Sequence, residues 1–514
     1  MIARASLSIV IACVACGRIH FDATGDGNGS AATDASFTGQ HTAYIKASTT
    51  HVDDEFGNWV ALDAAGDRLA VGAWYEDGAS TGINGDQTNN SAGNAGAAYT
   101  FVRTNDTWAQ DAYVKASNTG AGDNFGLDVA LSGDGSRLVV SAIYEASAAT
   151  GVDGNQADNS AAGAGAVYVF DRSGGTWAQT AYLKASNTDA QDNFGYAIAM
   201  STDGNTLAVA AFFEASAATG IDGNQADNSA ARAGAVYVFA YDGAWAQQAY
   251  VKASNTDAQD IFGEAVALSA DGNTLAVGAP LESSASPGID GNQADNSASQ
   301  AGAVYVFTRA GTTWTQQAYV KASNPDAFDQ FGWAVALSAS GDVLAVGARG
   351  EASAAPGIDG EQTDNSESYA GAVYAFRRAG ATWSQDAYIK ASNPDTADDF
   401  GQSVSLTPDG NWLLVGAPNE SSAATGLDGD QTDNSAMTAG ALYLFSHVTG
   451  SWVQRHYIKA TNTGAGDQLV WGAISADSST IAAGAQFEDS DATGIDGDQA
   501  DNSATDSGAA YIYY

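Results

Sequence analysis

Basic residues are scarce in this sequence. Its 514 residues contain 19 Lys and Arg against 60 Asp and Glu, so the formal net charge at pH 7 is −41. Binding to nucleic acid or to an anionic membrane surface requires clustered cations that neutralise phosphate groups. We therefore expect no nucleic-acid partner, and we expect contact with a membrane only through a lipid anchor.

Cysteine and histidine are also scarce. Both cysteines, Cys13 and Cys16, lie close to the amino terminus, and the five histidines follow no repeated pattern. The sequence contains no Gly-x-Ser-x-Gly element and no histidine-based metal motif. We therefore expect no catalytic residue and no enzyme activity.

The amino-terminal segment predicts export. Residues 1–16 hold one Arg, a short apolar run and small residues before a cysteine, which is typical of a signal peptide and too short for a membrane span. The run ending at Cys13 resembles a lipobox, Cys16 is the rival acylation site, and an ordinary cleaved signal is the third reading. Residues 17–40 are rich in Gly, Ser and Asp and predict a flexible tether. The expected location is the outer membrane or cell surface as a lipoprotein, or the periplasm or medium.

Proline is rare, helical spacing of apolar residues is nearly absent, and internal repeats dominate the remaining sequence. The chain has 7 Pro and 59 Gly, and Phe-Gly recurs at intervals of 68 or 69 residues, at Phe56, Phe125, Phe194, Phe262, Phe331 and Phe400. A seventh, degraded copy has Leu469 at the corresponding position. Each copy predicts four short strands, as in residues 260–269, 274–279, 301–307 and 314–323.

The repeats predict an all-β fold, a seven-bladed β-propeller of four-stranded blades over residues 41–514. Two strands of each copy are apolar on both faces, as expected where sheets stack radially, and the end copies carry no polar cap of the kind a linear solenoid needs. Residues 42–48 match a fourth strand, whereas residues 508–514 match a third strand with nothing after it. We therefore expect the amino-terminal strand to complete the seventh blade and close the ring.

The repeated motif resembles a known family. Asp-x-Phe-Gly, followed by Val-Gly-Ala-Pro at residues 277–280 and 415–418 and by Gly-Ala-Val-Tyr-Val-Phe, resembles the FG-GAP repeat of integrin α-subunit propellers. The resemblance implies a seven-bladed propeller that binds other proteins through the loops of one face and whose repeats often hold calcium. The family's calcium loop lies between the first and second strands, where this sequence has only a short turn such as residues 269–273.

An acidic loop of about twenty residues recurs between the second and third strands of each copy. Its Asp-Gly-x-Gln-x-Asp-Asn pattern supplies the oxygen ligands that Ca²⁺ prefers, and a recurring upstream glutamate (Glu145, Glu214, Glu282, Glu351, Glu420 and Glu488) could add another oxygen. The alternative is that these residues form turns and satisfy their own backbone. The candidate metal ligands are Asp153, Asn155, Asp158, Asp222, Asn224, Asp227, Asp290, Asn292, Asp295, Asp359, Glu361, Asp364, Asp428, Asp430, Asp433, Asp496, Asp498 and Asp501, with Asn84, Asp86 and Asn89 in the first copy.

Three other side chains recur in every copy or nearly so. A lysine in the predicted outermost strand (Lys46, Lys115, Lys184, Lys252, Lys321, Lys390 and Lys459) is expected to discourage edge-to-edge association. A tryptophan that begins this strand (Trp108, Trp177, Trp245, Trp314, Trp383 and Trp452) is expected to pack in the core. An aspartate two residues before the Phe position (Asp54, Asp123, Asp192, Asp260, Asp329, Asp398 and Asp467) is expected to accept backbone N–H groups in the turn between blades.

The function that these patterns favour is binding. Alternating strand direction places all seven acidic loops on one face, beside the connections between blades, so we expect a negative face that binds a protein or glycan ligand. The expected protein is a monomeric, non-catalytic binding or adhesion propeller at the cell surface or in the periplasm. The alternative is a carbohydrate-active enzyme that uses carboxylates in the propeller channel. Near-identical loops argue against the enzyme, because catalysis requires one copy to differ.

Overall fold

The computed structural model describes residue 37 and residues 39–514. These residues form 28 strands in seven antiparallel sheets of four strands each, the blades of a β-propeller. The predicted signal peptide, both cysteines and nearly all of the predicted tether lie outside the described residues. No helix in the described part of the chain has the length and hydrophobicity needed to cross a bilayer.

Each blade uses four consecutive strands, except the seventh, which takes its outer strand from the start of the described chain. The strands are β1 (His41–Ile45), β2 (Phe56–Leu62), β3 (Arg68–Ala73), β4 (Ala97–Thr104), β5 (Thr107–Val114), β6 (Phe125–Leu131), β7 (Arg137–Ala142), β8 (Ala166–Ser173), β9 (Thr176–Leu183), β10 (Phe194–Met200), β11 (Thr206–Ala211), β12 (Ala235–Tyr241), β13 (Trp245–Val251), β14 (Val266–Leu268), β15 (Thr274–Ala279), β16 (Ala303–Ala310), β17 (Thr313–Val320), β18 (Phe331–Leu337), β19 (Val343–Ala348), β20 (Ala372–Ala379), β21 (Thr382–Ile389), β22 (Ser403–Leu406), β23 (Trp412–Ala417), β24 (Ala441–Val448), β25 (Ser451–Ile458), β26 (Leu469–Ile474), β27 (Ile481–Ala485) and β28 (Ala509–Tyr513).

The second and third strands of each blade form the core, as their unbroken apolar sequences predict. In the fourth blade every residue of β15 is buried, as are the first five residues of β16. Each core cluster contains residues of two neighbouring blades, so Tyr305 and Phe307 of one blade share a cluster with Val236 and Val238 of the preceding one. The apolar faces of adjacent blades therefore hold the ring together.

The Phe-Gly pair fixes how each blade approaches the next. The Phe125 ring packs edge-on against Tyr168 at 5.4 Å, and Gly126 has a φ of +97°. A Cβ on Gly126 would lie 2.1 Å from the carbonyl oxygen of Ala97 in the preceding blade. Glycine is needed here both for the left-handed backbone and for the close approach between blades.

Ring closure by the amino-terminal strand is confirmed. Strand β1 pairs with β28 in antiparallel register, with Tyr44 opposite Tyr511 and Ile45 opposite Ala510. The turns between first and second strands are also hydrogen-bonded from blade to blade, and Ala476 N–H donates to the Ala64 carbonyl across the seam at 3.0 Å. Pro408 has no N–H to donate, so the sixth turn cannot make the corresponding bond to the seventh.

The long loops lie on one side of the ring, as predicted, together with the connections between blades. The Asn118 side-chain NH₂ in one connection donates to the Gln156 carbonyl of the adjacent loop at 3.1 Å, and Asn228 and Asp189 make a similar contact at 2.7 Å. We call this side the loop face and the opposite side the turn face. Since each first strand begins just after a connection, its Phe-Gly end lies at the loop face.

Candidate functional site

The first polar residue of each long loop holds the loop against the outer strand. In the fourth blade, Asp290 Oδ1 accepts the backbone N–H of Tyr319 at 2.9 Å, and the Asp290 N–H donates to the Tyr319 carbonyl at 2.8 Å. The neighbouring Ile289 forms a β-bridge with Val320. The same carboxylate or amide contact recurs in all blades, at Asn84, Asp153, Asp222, Asp359, Asp428 and Asp496. These contacts explain how such a long loop stays ordered with few apolar side chains.

The second and third polar positions of each loop form turns. Asn292 Oδ1 accepts the N–H of Ala294 at 3.2 Å, and Asp295 Oδ1 accepts the N–H of Ser297 at 3.1 Å. A side-chain oxygen that accepts the backbone N–H of the residue two positions later closes an Asx turn. The second-position residues Asp86, Asn155, Asn224, Glu361, Asp430 and Asp498 and the third-position residues Asp158, Asp227, Asp364, Asp433 and Asp501 make the same bond. Asn89 differs, because its backbone carbonyl accepts the Ala79 N–H.

The side chain of each candidate ligand except Asn89 therefore accepts a backbone N–H. Within residues 37 and 39–514, no group of three or more His, Cys, Asp or Glu side chains is placed to hold a metal ion together. The hydrogen bonds agree with the turn-forming alternative. Calcium binding by the loops stays a prediction.

The predicted role of the repeated lysines is wrong. Lys321 is fully buried, and its Nζ donates to Glu282 Oε2 at 2.9 Å, inside the blade rather than at an exposed edge. The same buried pair occurs in all seven blades, including Lys115 with Glu76 and Lys46 with Glu488. The lysine follows the last residue of the outer strand, where the chain turns inward beneath the long loop. Each repeated glutamate is thus paired with a buried lysine.

The repeated aspartates before the Phe position confirm the sequence prediction. Asp260 Oδ2 accepts the backbone N–H of Asp257 at 3.0 Å, and the other six aspartates make the same contact three residues back. Burial raises the pKa of Asp260 to about 7, although that hydrogen bond opposes the shift. Burial likewise raises the pKa to about 8 for Asp54 and Asp329. It raises the pKa to about 7 for Asp123, Asp192, Asp398 and Asp467.

The repeated tryptophans are packed, as predicted. Trp314 and Trp383 are each 3% exposed, and their Nε1 groups donate to Gln248 and Gln317 of the preceding blade. A ring with so little exposed surface offers no stacking platform to a ligand.

The first strands enclose a central channel with a cavity of about 540 Å³. The two residues after each Phe-Gly position line it at the loop face, and no two copies have the same pair although the flanking positions repeat. The pairs are Asn58-Trp59, Leu127-Asp128, Tyr196-Ala197, Glu264-Ala265, Trp333-Ala334, Gln402-Ser403 and Trp471-Gly472. The sevenfold symmetry is therefore broken in the lining of the central channel.

We define the channel mouth as Trp59, Tyr196, Glu264, Trp333, Gln402 and Trp471. Trp59 and Trp471 face each other with ring centroids 4.4 Å apart, and Tyr196 stacks on Phe212 at 3.8 Å. The Arg349 guanidinium lies 3.2 Å from the centroid of Trp333 and donates to Gln402 Oε1 at 3.2 Å. The six side chains are half-buried or buried, so each presents part of its surface to the cavity.

Two carboxyl groups line the channel, and both are desolvated. Glu264 accepts a hydrogen bond from the Tyr196 hydroxyl at 3.0 Å, and burial raises the pKa of Glu264 to about 7. Asp128 is fully buried, its Oδ2 accepts the Ile198 N–H at 2.7 Å, and burial raises the pKa of Asp128 well above its usual range. Asp128 thus links the second and third blades, which is a structural contact.

The channel mouth was not predicted from the sequence, because the predictions used only the residues that recur in every copy. A column-by-column comparison of the copies carries the signal: the positions before and after the variable pair are nearly constant, whereas the pair contains Trp, Tyr, Glu, Gln, Leu and Asn. The two residues that precede the repeated glutamate also vary, and they include Trp74, Phe212 and Arg349. Variation within otherwise constant repeats indicates a surface that is not part of the scaffold.

Comparison with known proteins gives a family and a fold. A family model described as FG-GAP repeat matches residues 108–170, 177–239, 245–307, 314–376 and 383–445. No curated protein matches the sequence.

Solved structures that match this chain include a periplasmic gluconolactonase from Pseudomonas aeruginosa, with 16% identity, a TM-score of 0.44, and coverage of 80% of this chain and 86% of that one. A β-propeller domain from Myceliophteria thermophila has 11% identity, a TM-score of 0.46, and coverage of 92% and 100%. Matches with 16% identity or less and TM-scores below 0.5 carry no information about the activity of this chain.

Proposed function

Because this chain belongs to the FG-GAP repeat family, we propose that it is a non-catalytic binding or adhesion propeller that contacts its ligand through the loop face, at the channel mouth. The observation that carries the proposal is the distribution of variation among the repeats. Residues that build the blades recur, whereas those at the loop-face end of the channel differ from blade to blade. Selection for one scaffold with one distinct site accounts for both patterns.

The proposal includes export and an acidic loop face. The signal-like residues 1–16, with acylation of Cys13 or Cys16, favour an outer-membrane, cell-surface or periplasmic location. Replacing both cysteines with serine is expected to move the protein from the membrane fraction to the soluble fraction, because acyl chains provide the anchor. An unchanged membrane fraction would exclude lipidation. Exposed loop carboxylates, such as those of Asp153 and Asp290, support a negative loop face.

The competing enzyme function has two observations in its favour: Glu264 and Asp128 line the channel, and the channel lining is where the copies differ. Glycoside hydrolysis needs two carboxyl groups that flank the scissile bond, one of them ionised. Asp128 does not suit that role because its raised pKa disfavours the ionised form and its Oδ2 already binds the Ile198 N–H. The geometry therefore supports binding better than hydrolysis.

The test of the proposed function is retention of native cell-surface material by the immobilised full chain. We expect Trp333→Ala to reduce retention strongly, because that ring lines the channel mouth. The matched control is Asp271→Asn on the turn face, which we expect to retain as much as the parent. Equal retention by the parent and both variants would contradict a loop-face site.

A further inference from the structure

We infer that the channel mouth binds a neutral saccharide, taking one end of the glycan into the central cavity. This inference rests on the binding function proposed above and names the chemical class of its ligand. Pyranose rings present apolar C–H faces and a rim of hydroxyl groups, so a saccharide site needs aromatic surfaces beside hydrogen-bonding groups. The channel mouth has both: the aromatic residues Trp59, Tyr196, Trp333 and Trp471, and the polar residues Glu264 and Gln402 on either side of Trp333.

The aromatic surfaces are held in place by neighbouring rings. Trp471 supports Trp59, Phe212 supports Tyr196, and Phe213 in turn stacks on Phe212 at 3.9 Å. Rigid aromatic side chains provide a large contact area at a small entropic cost. A ligand that stacks on Trp59 or Tyr196 therefore meets a surface that is already ordered.

The polar groups are placed between these rings. Gln402 accepts from Arg349 through Oε1, so its NH₂ group remains a donor, and Glu264 is held by the Tyr196 hydroxyl. Three buried polar atoms of channel-lining residues, Asn58 Oδ1, Asp128 Oδ1 and Trp471 Nε1, have no hydrogen-bond partner within the described structure. Buried polar atoms without a partner are unfavourable, so a hydroxyl group or water that came within hydrogen-bond distance of them would stabilise the bound state.

The size of the cavity favours a small ligand. About 540 Å³ lies within the range of sites that bind small molecules, and residues from all seven blades line this space. A folded protein surface could not enter it, whereas the end of an oligosaccharide could.

The charges at the mouth favour a neutral ligand over a cation. Arginines already occupy two aromatic faces, with Arg349 over Trp333 at 3.2 Å and Arg232 over Phe213 at 4.2 Å. Burial raises the pKa of Glu264 to about 7, so the buried carboxyl group offers a hydrogen-bond donor as well as an acceptor near neutral pH. A ligand of hydroxyl groups fits these partners better than an ammonium or guanidinium group.

The test uses the purified full chain with cellotetraose, maltotetraose, mannotetraose and N-acetylchitotetraose as probes. Binding is measured by titration calorimetry and by tryptophan fluorescence, because four tryptophans lie at or near the cavity: Trp59, Trp74, Trp333 and Trp471. We expect at least one probe to bind and to change the fluorescence. Trp333→Ala and Gln402→Leu should each weaken that binding at least tenfold.

The control is Val448→Ala, which removes an exposed apolar side chain at the turn face, outside the channel lining. It should bind the probe as the parent does, and unchanged melting of all three variants shows that they fold. The milder Trp333→Phe variant replaces Trp333→Ala if the latter unfolds, and it should retain part of the affinity.

Two results would overturn the inference. If none of the four probes binds, the assignment of a neutral saccharide is wrong. It is also wrong if a pentalysine peptide binds and displaces a bound probe. In both cases the proposed function, retention of surface material by the loop face, still stands. If a probe is shortened during incubation, as seen by chromatography, the channel is an active site and the non-catalytic function fails as well.

Discussion

At the residue scale, the buried Lys–Glu pair is the polar contact on which each blade depends. The Lys321 and Glu282 side chains are 0% and 1% exposed and lie 2.9 Å apart. Removing one member leaves the other as an uncompensated buried charge, which costs about 3–5 kcal/mol. We therefore expect Lys321→Met to lower the free energy of unfolding by about that amount, measured by denaturant titration.

The control for this prediction is an ion pair near the surface. Arg378 and Asp342 lie 2.8 Å apart with Asp342 51% exposed, so Asp342→Asn should cost no more than about 1 kcal/mol. The double change Lys321→Met with Glu282→Leu should cost less than Lys321→Met alone, because no charge remains buried. If Lys321→Met and Asp342→Asn lowered the free energy of unfolding equally, the buried pair would contribute no more to stability than the exposed pair.

The buried aspartates between the blades predict how stability depends on pH. The pKa of Asp260 is raised to about 7 by burial, so the folded state holds its proton more tightly than the unfolded state. Its contribution to stability is complete below the unfolded pKa of about 4 and is lost as pH rises through about 7. Asp260→Asn mimics the protonated carboxyl group, so the melting temperature of the variant relative to the parent should be higher at pH 8 than at pH 5.

Asp242→Asn is the control, because Asp242 has an exposed side chain in the turn between β12 and β13, away from Asp260. Its melting temperature relative to the parent should be the same at pH 5 and pH 8. If Asp260→Asn behaves in the same way as this control, the buried carboxyl group does not titrate as the geometry implies.

At the scale of the element, the first aspartate of each long loop holds the loop to the outer strand. Asp290→Ala removes the acceptor for the Tyr319 N–H, a contact of 2.9 Å, and should cost about 0.5–1.5 kcal/mol. Asp290→Asn keeps an oxygen at this position and should cost less. Faster hydrogen exchange at Tyr319 in the alanine variant would report the loss directly, and equal exchange in both variants would contradict this role.

The same variant separates turn formation from calcium binding, which remains a prediction for these loops. A bound Ca²⁺ would stabilise the folded state by linkage, so melting would rise with millimolar Ca²⁺ beyond the effect of matched ionic strength. Changing Asp290 and Asp295 together to Asn would then remove part of that rise. If calcium titration gives no heat and no change in melting temperature, these residues form turns and do not bind calcium.

Patterns that depend on neighbours in the sequence predicted most of the elements. The four strands of each blade and the aspartates such as Asp260 follow from local periodicity and local hydrogen bonds, and both were confirmed, although the strand predicted over residues 260–269 forms only over Val266–Leu268. The lysines were misread because the exposure of Lys321 depends on how the chain turns after β17 and on the loop that covers it. The channel mouth was missed because seven strands distant in sequence must converge before Trp59 and Trp471 meet.

At the scale of the whole molecule, the ring depends on β1. This strand supplies the outer strand of the seventh blade and packs Ile45 into a core cluster shared with the first blade. Deleting residues 41–48 should leave β28 as an open edge, with aggregation or a large fall in melting temperature. Addition of a synthetic peptide covering residues 39–50 should partly restore stability. A deletion variant that melts as the parent does would show that the ring closes without this strand.

The central claim is that a repeated scaffold presents one distinct binding site at the channel mouth. Hydrogen exchange of the full chain, measured with and without the cell-surface component that it retains, tests this claim most directly. We predict slower exchange on binding in residues 58–62, 196–198, 333–335 and 402–405, which line the channel, and no change in the turns of the turn face. Protection confined to the turn face or to the outer strands would contradict the account.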